Sequence, residues 1–155
     1  MKFVFPFLGK TREDFLAAGI REYTKRLRRF VGVEIVELKT RSPKGIPEDT
    51  FKLQEAELLL ARIPQQGHVV ALDGSGAQID SPGLAAWIES WERDGAQNVF
   101  FLIGGHLGLH GSVLERADQV LSLSRLTFTH EMCRLFLLEQ LYRAWMIRTG
   151  RRYHN

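Results

Sequence analysis

The chain has 155 residues, 45% of them apolar, a formal charge of +3 and a single cysteine. That bounds it as one domain of ordinary size with a real core, and it excludes a disordered or low-complexity chain and an internal disulfide. The lone Cys133 makes a reducing compartment, the cytoplasm, the expectation; no Cys/His set has zinc-ligand spacing, so no metal is expected either. The basic residues cluster at Lys25, Arg26, Arg28 and Arg29, at Lys39, Arg41 and Lys44, and at Arg148, Arg151 and Arg152. Such patches suit a polyanionic partner, and solvated helix ends give the same pattern.

Lys2 to Leu8 reads as a first strand; it has no small-residue cleavage site and is broken by Pro6, unlike a signal peptide. Gly9-Lys10-Thr11 then opens a helix, with Thr11 as N-cap and Asp14 three positions on. Phe15, Leu16, Ile20, Tyr23 and Leu27 form its apolar stripe. Val31 to Leu38 alternates as a second strand, with Val33 and Ile35 on one face and Val36 and Leu38 on the other. Phe51, the run Leu53 to Leu60 and Ile63 predict a helix between Glu48 and Ile63, ended by Pro64 and Gly67. His68 to Leu72 is a third strand, followed by a turn at Asp73-Gly74-Ser75-Gly76. Asp73 there is either a catalytic or ligand-binding group or a turn residue bonding its own backbone. Ser81-Pro82 reads as an N-cap and a first-turn proline, opening a helix through Leu84, Trp87, Ile88 and Trp91 that Gly95 ends.

Asn98 to Ile103 is apolar on both faces, as in a parallel sheet, and runs straight into Gly104-Gly105-His106-Leu107-Gly108. Ligands of open parallel sheets bind just outside carboxyl strand ends, so this glycine turn is a candidate ligand loop; a plain tight turn needs glycine equally. Leu121 to Ser124 alternates apolar and serine, and leads through a loop to His130 and an apolar helix, Met132 to Ile147. Arg134, Glu139 and Arg143 on that helix argue against a membrane span. Its apolar residues surround the axis, so it needs protein on two sides, and a homodimer interface is the expectation. Strands alternating with helices predict an α/β fold with a mainly parallel sheet flanked by helices.

In order along the chain, five pieces resemble a known family: Leu72-Asp73-x-x-Gly76, Ile103-Gly104-Gly105-x-x-Gly108-Leu109, Leu121-Ser122-Leu123-Ser124-x-Leu126-Thr127, Glu139-x-Leu141-Tyr142-Arg143-Ala144, and Tyr153-His154. The family is that of the small SPOUT-class methyltransferases, which use S-adenosylmethionine to methylate N3 of a pseudouridine in bacterial 23S ribosomal RNA. The resemblance spans essentially the whole chain. It implies a C-terminal trefoil knot, a homodimer, and a cofactor pocket at Leu72, Gly105, Leu123, Ser124, Arg125, Leu126, Thr127 and Phe128. His106 and Thr129 stand where the family usually has proline.

The implied reaction is an in-line displacement, in which positioning supplies much of the catalysis and the N3 proton must be removed. Histidine titrates near neutrality, so His130 and His154 are the candidate bases; each also has a purely structural reading. Arg143 and Arg152 are candidates for RNA phosphate, Tyr153 and His154 for the target nucleotide, and the RNA is expected within the assembled ribosome. The competing reading is a nonenzymatic RNA- or ribosome-binding module. A dinucleotide-binding enzyme is disfavoured, since Gly-x-Gly-x-x-Gly is absent and the glycines follow a late strand.

Overall fold

A computed structural model of the chain describes residues 1–40 and 44–151. The elements are β1 (Lys2–Leu8), α1 (Asp14–Leu27), β2 (Gly32–Leu38), α2 (Glu48–Leu60), β3 (His68–Ala77), α3 (Ser81–Arg93), β4 (Asn98–Ile103), α4 (Gly111–Arg116), β5 (Gln119–Leu121) and α5 (His130–Arg148). The five strands form one sheet in the order β2-β1-β4-β3-β5, and every strand pairing is parallel. Alternation along β1 and β4 sends side chains to both faces, as expected of a sheet covered on two sides. Phe3, Phe5, Phe7, Val99, Phe101 and Ile103 pack on one face beneath α1, α3 and α5. Val4, Leu8, Phe100 and Leu102 pack on the other, against Ala56 and Leu59 of α2 and Val113 of α4. A proline is rare in a central strand because it cannot donate to a ladder. Pro6 is accommodated because β4 pairs β1 only from Lys2 to Val4, so the ladder on that side has ended before it.

Several local expectations are corrected. The segment Asp73 to Gly76 is not a turn: β3 runs extended to Ala77, with a register shift against β5 between Leu72 and Ala77. Glycine is needed there for close approach, since a Cβ at Gly76 would lie 2.6 Å from the Val120 carbonyl. Thr11 does not cap α1; the N-cap is Glu13, without a side-chain bond of its own. Phe15, assigned to the apolar stripe of α1, is 68% exposed, and Leu16, Ile20, Thr24 and Leu27 face the core. The cap of α3 is Asp80, whose carboxylate accepts the Gly83 N–H at 2.7 Å, one residue before Ser81. Strand β5 and helix α4 were not anticipated, being too short to carry a periodic signal.

The apolar circumference of α5 is largely absorbed within the chain. Leu137, Leu138, Leu141 and Ala144 are fully buried, and the helix packs against both α1 and α3 over the sheet. The two sides of protein it requires are therefore intramolecular, and its apolarity by itself does not call for a second subunit. No helix among the described residues is long and apolar enough to cross a membrane.

Candidate active site

Segments after β4 and β5 and the bulged end of β3 meet at the carboxyl edge of the sheet around a cavity of about 330 Å³. Leu72, Gly105, Leu123, Ser124, Arg125, Leu126, Thr127 and Phe128 all line it, and Asp73, His106, His130 and Cys133 join them. Residues up to 61 positions apart on the chain thus reach one hollow, where parallel sheets ordinarily bind ligands.

The walls are built largely from backbone. Gly104 is buried, and a Cβ on it would lie 2.4 Å from the Gly108 carbonyl carbon, so the loop closes on itself only with glycine at that position. The serines of the 122–124 segment support the loop: Ser122 Oγ donates to the Ser124 carbonyl at 3.0 Å, and Ser124 Oγ accepts the Leu126 N–H at 3.0 Å. Each hydroxyl thus bonds the loop's own backbone and holds its course, so that peptide groups line the cavity beside the side chains. Leu126 is 74% exposed at the rim. Phe128 packs edge-on against Phe136 at 5.0 Å, which ties the loop to α5.

At the entrance of α5, Thr129 is the N-cap and its Oγ1 accepts the Met132 N–H at 3.2 Å. Its φ of −64° is one that proline also adopts, so threonine keeps the backbone course and adds a cap. His106 instead lays its ring against Phe51 at 5.8 Å. His130, the first residue of α5, is half-buried; burial chiefly, with Arg134 nearby, holds its imidazole below the ordinary value, so it is neutral at neutral pH. Burial pushes the Cys133 thiol up, which keeps it protonated and unreactive.

Two buried charges brace this edge. Glu131 accepts the Arg12 N–H at 3.0 Å and the Glu13 N–H at 3.2 Å, supplying the start of α1 with the cap its own sequence lacks. Burial would push this carboxyl up, but the two amides and Arg134 outweigh it and hold it below the usual range. Arg134, 2% exposed, donates to the carbonyls of Leu8 at 2.7 Å and Gly9 at 3.2 Å and to Thr11 Oγ1 at 3.0 Å, over the Phe7 ring.

Other singled-out residues are engaged in contacts of their own. Asp73 is engaged locally, its Oδ1 accepting the Ser75 N–H at 2.9 Å and the Ser75 hydroxyl at 2.7 Å, as a backbone-bonding residue does. Arg143 is paired with Glu139 at 2.6 Å, one turn back on α5. Among the basic clusters, Arg26 is paired with Glu22 and Arg148 with Glu92, so part of the charge offered to a polyanion is already engaged. Arg41, Arg152, Tyr153 and His154 lie outside the described residues.

Sequence reasoning missed Glu55. It is a carboxylate on the inward side of α2, 6% exposed between Phe51 and Leu59, and it lies against Gly105, where a Cβ would be 2.7 Å from its Oε2. Burial raises its carboxyl above the ordinary value, and its Oε2 has no hydrogen-bond partner. An acidic residue four positions after Phe51 and four before Leu59, in phase with the apolar stripe, was the available signal.

The model of a family described as predicted SPOUT methyltransferase matches residues 1–154. The chain is 49% identical over 155 residues to the ribosomal RNA large subunit methyltransferase H of Desulfotalea psychrophila, covering all of both chains. It is 43% identical over 155 residues to the protein so named in Geobacter metallireducens, covering 100% of this chain and 99% of the relative. To the Bacillus pumilus protein of that name it is 41% identical over 152 residues, 96% of each.

Proposed function

The chain belongs to the SPOUT methyltransferase family, and we propose that it transfers a methyl group from S-adenosylmethionine to N3 of a pseudouridine in 23S ribosomal RNA. The observation that carries this reading is the convergence of three loop segments on one cavity of about 330 Å³ at the carboxyl edge of a parallel sheet. That volume lies at the lower end of small-molecule sites, which run from about 300 Å³ upward. Its lining fits the cofactor: Leu72, Ile103, Leu121 and Leu123 offer apolar surface, and glycine and loop peptides offer hydrogen-bonding edges. When bound, S-adenosylmethionine supplies an electrophilic sulfonium methyl.

The chain's part in the reaction is to bind, orient and deprotonate. Leu123, Ser124, Arg125, Leu126, Thr127 and Phe128 form one wall and Gly105 another, so two partners can be held for in-line attack. His130 lines the same cavity as a neutral imidazole and can accept a proton at a ring nitrogen. His154 is the second candidate base, with Tyr153 stacking on the target nucleotide and Arg143 and Arg152 meeting phosphate. A homodimer, a C-terminal trefoil knot, and the assembled ribosome as substrate complete the reading. Met132, Phe136 and Ile147, apolar and outside the chain's own core clusters, support a subunit contact along α5.

Calorimetric titration with S-adenosylmethionine, followed by methyl transfer to ribosomes lacking the modification, tests the proposal. The expected result is saturable heat and one methyl group per ribosome. A nonenzymatic RNA-binding module would give no heat and leave the ribosome unmethylated.

A further inference from the structure

Beside the cofactor cavity lies a second chamber of about 430 Å³, which shares Gly105, His106 and His130 with it. Glu55 lines this chamber, 6% exposed; its carboxylate lies against Gly105, where a Cβ would be 2.7 Å from Oε2, and its buried Oε2 has no hydrogen-bond partner. Buried polar atoms are nearly always satisfied, so an unsatisfied one on a residue that lines a cavity marks where a ligand atom can complete the set. Lys10 and Arg12, both exposed, line the same chamber, and among the described residues neither is held in an ion pair.

We propose that this chamber receives the acceptor nucleobase, a uracil-type ring whose imide N–H is read by Glu55 and whose phosphate is met by Lys10 and Arg12. The proposal rests on the reading of the chain as an RNA methyltransferase and assigns its acceptor subsite. Above its raised pKa, the Glu55 carboxylate only accepts hydrogen bonds. A uracil-type edge offers it an N–H, whereas a cytosine-type edge presents a lone pair at the same ring position and is repelled. Gly105, against which Glu55 packs, also lines the cofactor cavity, so the group that reads the base adjoins the wall that shapes the methyl donor's site. Lys10 and Arg12 supply the charge that a phosphate requires, without base preference.

Amide NMR titration of the full chain with uridine 5′-monophosphate, and in parallel with cytidine 5′-monophosphate, tests this without any methyl transfer. Expected are saturable shifts at Glu55, Gly105 and His106 with the uridine nucleotide, and roughly tenfold weaker binding of the cytidine nucleotide. Glu55→Gln, whose amide can donate as well as accept, should bring the two nucleotides to within about threefold. Arg12→Ala should weaken the nucleotide while leaving the nucleoside uridine unaffected. Equal shifts with both nucleotides, shifts confined to other surfaces, or full preference retained by a folded Glu55→Gln overturns the proposal. Heat with S-adenosylmethionine alongside unselective nucleotide shifts overturns the chamber and leaves the methyltransferase standing. Selective shifts without that heat support the chamber and overturn the methyltransferase reading.

Discussion

Glu131 joins the two ends of the molecule, and its charge state carries a stability consequence. Its carboxylate holds the amides of Arg12 and Glu13 and lies near the buried Arg134, so its folded pKa is depressed. A depressed acid contributes in full above its unfolded value; the contribution is lost as pH falls through the folded one. Glu131→Gln should therefore cost about 2 kcal/mol at neutral pH, since bonds to a charged acceptor are weakened and Arg134 loses its nearby charge. The difference from the parent should begin to shrink as pH falls below the unfolded value of about 4.3, and should vanish only once pH is below the depressed folded value, where the Glu131 carboxyl is neutral. Urea unfolding at the two pH values reads both parts; a cost that stays constant with pH would remove the charge from the explanation. Gly105 shows how position alters meaning. A valine there would be expected to fill ligand space, yet a Cβ at Gly105 would lie 2.7 Å from Glu55 Oε2, so the first group displaced is the carboxylate behind the loop. The motif identified the glycine, but the neighbour that demands it lies on α2, 50 positions earlier, where no local pattern points to it.

Among the elements, those with a strong period were legible: β1, β4 and α5 were placed within a residue or two because their apolar runs have a length and rhythm. β3 was read short, because glycines suggest a turn in sequence whereas here they admit the close backbone of β5. α5 was legible as a buried helix, but the identity of its neighbours was not, because apolarity does not record which protein surface covers it. That bears on the dimer. Leu137 and Leu141 are fully buried within one chain, so glutamate at either would unfold the monomer and say nothing of an interface. Met132 and Phe136 are half-buried, one turn apart, and outside the core clusters. Met132→Glu with Phe136→Glu should convert a dimer to monomer in sedimentation velocity while circular dichroism stays unchanged. A dimer that persists in the folded double variant removes this face of α5 from the contact.

For the whole molecule, the site was legible as residues because the loop motifs are specific, while the second chamber was not, because it is made by β1, α2 and α5 meeting across long stretches of chain. A knot leaves no trace in periodicity or composition, and rules of chain topology count against one. The resemblance alone supplied it. The last step concerns the C-terminus beyond Gly150, where Arg151, Arg152, Tyr153 and His154 combine phosphate-binding charge with an aromatic and a titratable ring. Much of the basic surface of α1 and α5 is already engaged, Arg26 by Glu22, Arg143 by Glu139 and Arg148 by Glu92. A polyanion therefore depends more heavily on charges outside these pairs, such as Lys10, Arg12 and the terminal arginines. Arg151, the one of these four terminal residues among the described residues, does not line the S-adenosylmethionine cavity. Truncation after Gly150 should leave cofactor affinity within about threefold, which is below 1 kcal/mol. It should cut methyl transfer to ribosomes by about a hundredfold or more, with a shallower salt dependence as phosphate contacts are lost. His154→Ala separates the roles within the tail: a base there lowers kcat and alters its pH profile, whereas a contact that only binds RNA raises KM alone. Full methylation by the truncated chain would dismiss the tail from the reaction and leave His130 as the base to test.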